Sequence, residues 1–100
     1  MISLKPGVRI FGVKPEIVLA LQIAESVWQA QCGQPLVVTS VTDGRHMPES
    51  LHYQGLAADL RLPSVPDLEA LRSALAVALG PEFDVILERD HYHLELDIKE

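Results

Sequence analysis

Four histidines occur in the chain; His52, His91 and His93 fall within two polar clusters, and His46 lies in the loop just ahead of the first. The first, Ser50-Leu51-His52-Tyr53-Gln54-Gly55-Leu56-Ala57-Ala58-Asp59, sets an imidazole and a carboxylate seven positions apart around a glycine. The second, Glu88-Arg89-Asp90-His91-Tyr92-His93, adds further imidazole near the end of the chain. Two histidines and one aspartate leave a fourth ligand position open on zinc. In such a site the metal lowers the pKa of a bound water toward ~7 and makes a nucleophile at neutral pH. Any one of these histidines, taken singly, reads more simply as a solvated loop imidazole, and His-x6-Asp is not a diagnostic spacing. The argument for a metal comes from two chelating segments presented on the faces of neighbouring strands.

The elements that must present them are legible. Lys14-Pro15-Glu16 starts a helix, and Ile17, Ala20, Leu21, Ala24, Val27 and Trp28 recur at its 3.6-residue period before Gly33 and Pro35 end it. These apolar positions are core. Leu36 to Ser40 is rich in β-formers and predicts a strand, followed by a loop from Val41 to Leu51. From Gly55 to Leu62 the pattern alternates. Leu56, Ala58, Leu60 and Leu62 share one side, while Ala57, Asp59 and Arg61 share the other, so Asp59 points away from the core. After the linker at Pro63 to Asp67, the residues Leu68, Leu71, Leu75, Ala78 and Leu79 form the stripe of a second helix, stopped by Gly80-Pro81.

Phe83 to Glu88 and His91 to Ile98 predict a hairpin. Its last strand has Tyr92, Leu94, Leu96 and Ile98 on the apolar face and His91, His93, Glu95 and Asp97 on the polar one. A two-residue turn at Arg89-Asp90 sets Glu88 opposite His91 and on its face. Residues 1–13 read as an irregular or short extended lead-in with a turn at Pro6-Gly7 and no visible chemistry. The fold expected is α+β, an antiparallel sheet of about four strands with two main helices packed on one face and the metal site on the opposite face.

Composition limits the alternatives. One hundred residues, 48% of them apolar and 22% charged, make one domain spanning residues 1–100 that buries its own core. The net charge of −6, with the basic residues scattered, argues against a sequence-independent grip on nucleic acid. Cys32 stands alone and reads as a small apolar residue. No signal peptide and no membrane-spanning run is visible, so synthesis in the cytoplasm is expected, with any export assisted from outside.

The first cluster together with His91-Tyr92-His93 resembles the Ser-x-His-x-x-Gly-x-Ala-x-Asp and His-x-His pattern of the zinc D-Ala-D-Ala carboxypeptidase family, which shares its fold with the hedgehog signalling domain. Thr42-Asp43-Gly44-Arg45-His46, followed by Glu49-Ser50-Leu51-His52-Tyr53, is similar to the zinc-site loop of hedgehog. Small phage-encoded members of the carboxypeptidase family are similar over nearly the whole chain, including the Phe83-Asp84-Val85-Ile86-Leu87-Glu88 strand.

The resemblance implies one zinc ion per chain, held by His52, Asp59 and His93, and a carboxylate that deprotonates the metal-bound water. Glu88 is the first choice for that base. Asp90 is the alternative, because it stands three residues before the last ligand, where many of these peptidases carry Glu. The resemblance places His91 beside the metal, where it is assigned to stabilising the developing oxyanion, and matches His46 to an active-site histidine of hedgehog that assists the leaving group or binds substrate. Arg45 or Arg61 is the candidate fork for a substrate carboxylate, against a plain solvated arginine. Asp43 matches a hedgehog calcium ligand, but most of that site's acidic neighbours are missing and no calcium is expected.

The implied function is a zinc peptidase acting on the stem peptide of bacterial peptidoglycan, as carboxypeptidase or endopeptidase of the phage or prophage lysis type. The alternative is a catalytically silent, zinc-containing binding or virion assembly module of the same fold.

Overall fold

The computed structural model describes residues 1–43 and 54–97. Its elements are β1 (Ile2–Leu4), α1 (Pro15–Gln31), β2 (Leu36–Ser40), β3 (Ala57–Arg61), α2 (Leu68–Leu79), β4 (Phe83–Leu87) and β5 (His91–Leu96). They form an α+β domain with a five-stranded sheet in the order β1-β2-β3-β5-β4.

The sheet is mixed, which corrects the expectation of about four antiparallel strands. β1 pairs with β2 in parallel, Ile2 opposite Leu36 and Leu4 opposite Val38, and the remaining pairs are antiparallel. Parallel neighbours need a crossover, and α1 supplies it. Three residues are too few to show a two-residue alternation, so β1 carries no periodic signal of its own. What holds it is the edge of β2.

Alternation along the strands divides the sheet into two faces. Leu36, Val38, Ala58, Leu60, Val85, Tyr92, Leu94 and Leu96 are buried together with Ile17, Ala20, Leu21, Ala24 and Trp28 of α1 and Leu71 and Leu75 of α2. Both helices therefore cover one side. Trp28 and Tyr92, both without solvent exposure, meet edge-on at 5.8 Å and 78° at the centre, an arrangement the ring quadrupoles favour. The Tyr92 hydroxyl donates to the Leu68 carbonyl oxygen at 2.6 Å and so ties β5 to the start of α2.

The helix ends follow their sequence signals. Pro15 opens α1, and Asp67 caps α2 by accepting from the Ala70 amide at 2.9 Å. In α2 the predicted stripe needs one change. Ala78 is exposed, and Ala76 packs on the core in its place, beside Leu68 and Leu79. Cys32 is partly buried against the same core. No helix of the described residues is long and apolar enough to cross a membrane.

Candidate metal centre

The face of the sheet turned away from the helices carries the polar residues of β3, β4 and β5. Cross-strand pairing decides which of them meet, because directly opposed residues project to the same side. Asp59 lies opposite His93, Arg61 opposite His91, and Ala57 opposite Glu95. On the other flank of β5, Ile86 lies opposite His93 and Asp84 opposite Glu95. The expected separation of Asp59, His91, His93 and Glu95 from the core is thus what the structure has.

At the centre, Asp59 Oδ1 is 3.1 Å from His93 Nδ1, and His93 Nε2 is 2.8 Å from Glu95 Oε1. The side chains of Asp59 and His93 are 13% and 19% exposed, enough to shield their interaction while leaving one side open. A neutral imidazole has one N–H and one lone pair, but both carboxylates are acceptors. Satisfying both contacts therefore takes one more proton, on the ring or on a carboxyl, or a metal ion. With no metal, the Asp59 hydrogen bond raises the His93 pKa above its ordinary value, against the opposing effect of burial, and Glu95 adds to the rise.

The same arrangement fits zinc. Two ligands of one tetrahedral ion with bonds near 2.0–2.1 Å stand roughly 3.3 Å apart, close to the Asp59–His93 separation. A ligating imidazole commonly donates its other N–H to a carboxylate that fixes the tautomer. Glu95, on the polar face of the same strand, occupies that place on His93.

His91 lies one strand step away. Its Nδ1 is 2.6 Å from Asp90 Oδ1 and its Nε2 is 3.6 Å from Asp59 Oδ1, the latter too long for a hydrogen bond. Its bond to His91 holds the Asp90 carboxyl below the usual range. The hairpin has the expected register. Leu87 pairs with Tyr92 and the Glu88 amide donates to the His91 carbonyl at 2.9 Å, so Arg89-Asp90 is the connection. No non-glycine residue among those described has a positive φ, so this turn is not one of the left-handed hairpin types. Glu88 is exposed, and its carboxylate has no hydrogen bond or ion pair among the described residues.

The third expected ligand, His52, lies outside the described residues, as do His46 and Arg45. The residue leading out of that segment is informative. Gly55 has φ of +73°, and a methyl group on it would overlap the Gly12 carbonyl oxygen and press on Val13. Its own carbonyl accepts the Lys14 amide at 3.0 Å. Glycine is thus required both for the left-handed turn into β3 and for the approach of the chain that starts α1. Asp43, the residue matched to a calcium ligand, spends Oδ1 on backbone amides, Val41 at 2.9 Å and Arg9 at 3.1 Å.

Asp84, Glu95 and Asp97 bring carboxylate oxygens within 4.8 Å of one another at the far end of the face, a grouping that the sequence reading did not single out as a metal site. Asp84 and Glu95 are cross-strand partners, a relation only the β4–β5 register reveals. The residue the sequence reading missed outright is Lys5, which joins Thr39, Asp59, Arg61, Asp90 and His91 around a groove of about 320 Å³. Neither a protein-family model nor a curated protein sequence matches this chain.

Proposed function

We propose that this chain is a zinc metallopeptidase that hydrolyses the peptide moiety of bacterial peptidoglycan, of the phage or prophage lysis type. The observation that carries the reading is the His93 ring held between two carboxylates on the uncovered face of the sheet. That donor set suits a divalent cation, and the sequence pattern around it resembles that of the zinc D-Ala-D-Ala carboxypeptidases. His52, Asp59 and His93 would hold the metal. When bound, zinc supplies a Lewis acid and a water of lowered pKa.

The chain's own residues have separate tasks. Glu95 fixes the tautomer of His93 and keeps its Nδ1 turned to Asp59. Glu88 accepts the proton of the attacking water and passes it to the leaving amine. Its position opposite His91 and its uncommitted carboxylate support this role. Asp90, the other candidate base, is already engaged with His91. That engagement orients the His91 ring and leaves Nε2 facing the site, where it stabilises negative charge on the carbonyl oxygen.

Incubation of the zinc-loaded protein with purified sacculi, followed by mass analysis of the products, tests the reading. New amines and discrete muropeptide fragments are expected. Glu88→Ala should abolish their release while zinc stays bound. An active Glu88→Ala beside a dead Asp90→Ala would move the base to Asp90. Stoichiometric zinc without cleavage of any muropeptide would leave the catalytically silent binding module.

A further inference from the structure

Among the described residues nine large apolar side chains are exposed, and seven of them come from residues 1–23. They are not scattered singly. Leu4, Ile10 and Val18 line an apolar groove of about 250 Å³ between β1 and the first half of α1, where Gln22 is the one polar member. Leu19 and Ile23 continue the same apolar surface around α1. Phe11, 93% exposed, stands at its border.

The tip that carries Phe11 is held in place. The Val13 amide donates to the Ile10 carbonyl at 2.9 Å, closing a turn in which Gly12 takes φ of +82°. On one side of the turn the Arg9 carbonyl accepts from the Thr42 amide and hydroxyl, both at 3.0 Å, and on the other the Lys14 amide donates to Gly55 at 3.0 Å. An aromatic ring fixed outward in this way gains nothing for the fold. It is preorganised for a contact outside the chain.

Charge decides what that contact is. Residues 1–23 hold three of the eight Lys and Arg but one of the fourteen Asp and Glu, so this segment carries +2 in a chain of net charge −6. Lys5 turns to the groove on the other face of the sheet. Arg9 and Lys14 flank the apolar turn, and neither side chain has a partner among the described residues. Of the nearby carboxylates, Glu25 is paired with the Met1 amine and Asp43 accepts from the Val41 and Arg9 amides, which leaves Glu16 uncommitted. Two copies meeting through this patch on a two-fold axis would set these cations against their own counterparts. An anionic bilayer offers apolar depth and the opposite charge together.

We propose that the patch around Phe11 docks the protein on the surface of an anionic phospholipid bilayer, with Phe11 inserted among the acyl chains and Arg9 and Lys14 at the headgroups. The patch lies on the helix side of the sheet, so Asp59 and His93 face away from the lipid. On the function proposed above, that orientation turns the metal centre toward the cell wall.

Co-sedimentation of the full chain with vesicles of phosphatidylcholine, with and without phosphatidylglycerol, tests the proposal. Binding is expected with phosphatidylglycerol, weakly or not at all without it, and should fall with added salt. Phe11→Ser should weaken it roughly tenfold, and Arg9→Gln and Lys14→Gln about fivefold each, the worth of one basic residue at an anionic surface. Val77→Ser, at an exposed position on α2, should change nothing. In Phe11→Trp the added emission should move to the blue on anionic vesicles, whereas Trp28 is already buried and supplies a constant background. No binding, equal binding to both kinds of vesicle, full binding by Phe11→Ser, or an unmoved Phe11→Trp emission would overturn the proposal. A dimer in sedimentation velocity that Phe11→Ser dissolves, without vesicle binding, would assign the patch to a second copy instead. The assay needs neither zinc nor substrate, so a protein that binds vesicles but cuts no muropeptide sinks only the peptidase reading, and one that cuts without binding vesicles sinks only the docking surface.

Discussion

Asp59 and His93 face each other across the β3–β5 pairing, Oδ1 to Nδ1 at 3.1 Å, while the far nitrogen of the same ring meets Glu95 at 2.8 Å. One imidazole thus links a carboxylate at the centre of the face to another at its acidic end. The chemistry expected of the protein depends on which cation occupies the Asp59 side of that ring.

Removing Glu95 should be felt at the metal rather than in the fold. Glu95→Ala deletes the acceptor that orients His93, and such partners are typically worth roughly 10–100-fold in metal affinity. Glu95→Gln keeps an acceptor oxygen and should lose less. Competition for zinc against a chelating dye measures both. Equal zinc affinity in wild type and Glu95→Ala would show that Glu95 does not support a ligand.

The stability of the metal-free protein and the increment that zinc adds to it should respond to pH in opposite senses. Without metal the folded-state pKa of His93 is raised, first by Asp59. Its contribution to stability is therefore complete below the unfolded value of about 6.5 and is lost as pH rises from there through the folded value. A zinc ion must displace that proton, so the stabilisation added by zinc should grow over the same rise in pH. Thermal melts across neutral pH, with zinc and with chelator, read the two slopes. A zinc-induced increment that does not change with pH would remove His93 from the ligand set.

Tyr92→Phe tests the tie between β5 and α2. The ring's packing on Trp28 survives, but the bond to the Leu68 carbonyl is lost, and a stability decrease of about 1 kcal/mol in urea denaturation is expected. Burial of the phenol pushes its pKa up to about 12. Its share of stability is present below the unfolded value of about 10 and is lost as pH climbs from there toward the folded value. Alkaline unfolding should therefore be less steep in Tyr92→Phe than in wild type.

Gly55→Ala should cost more than an ordinary loop substitution. The left-handed conformation alone costs an alanine about 1–2 kcal/mol, and the methyl also overlaps the Gly12 carbonyl oxygen. A decrease beyond 2 kcal/mol is expected, with the entry into β3 and zinc affinity disturbed together. Gly33→Ala, where a methyl meets nothing, isolates the backbone term.

Local pattern determined a great deal here. The 3.6-residue stripes of α1 and α2, the strand at Leu36–Ser40, and the alternation that set Asp59 and His93 opposite the core were all legible, because burial on one side leaves a period in the sequence. The hairpin register at Arg89-Asp90 followed from chain length between the strands. The sequence pattern also suggested His52 as the partner of Asp59 and His93, a grouping that rests on resemblance. Tertiary structure decided the rest, because pairing between segments distant in sequence has no local signature. It added β1 in parallel to β2, set Asp59 against His93, gave Glu95 to the far side of the imidazole, and carried Lys5 to the same groove as Arg61. A three-residue strand and a lone lysine are featureless until the sheet edge beside them exists.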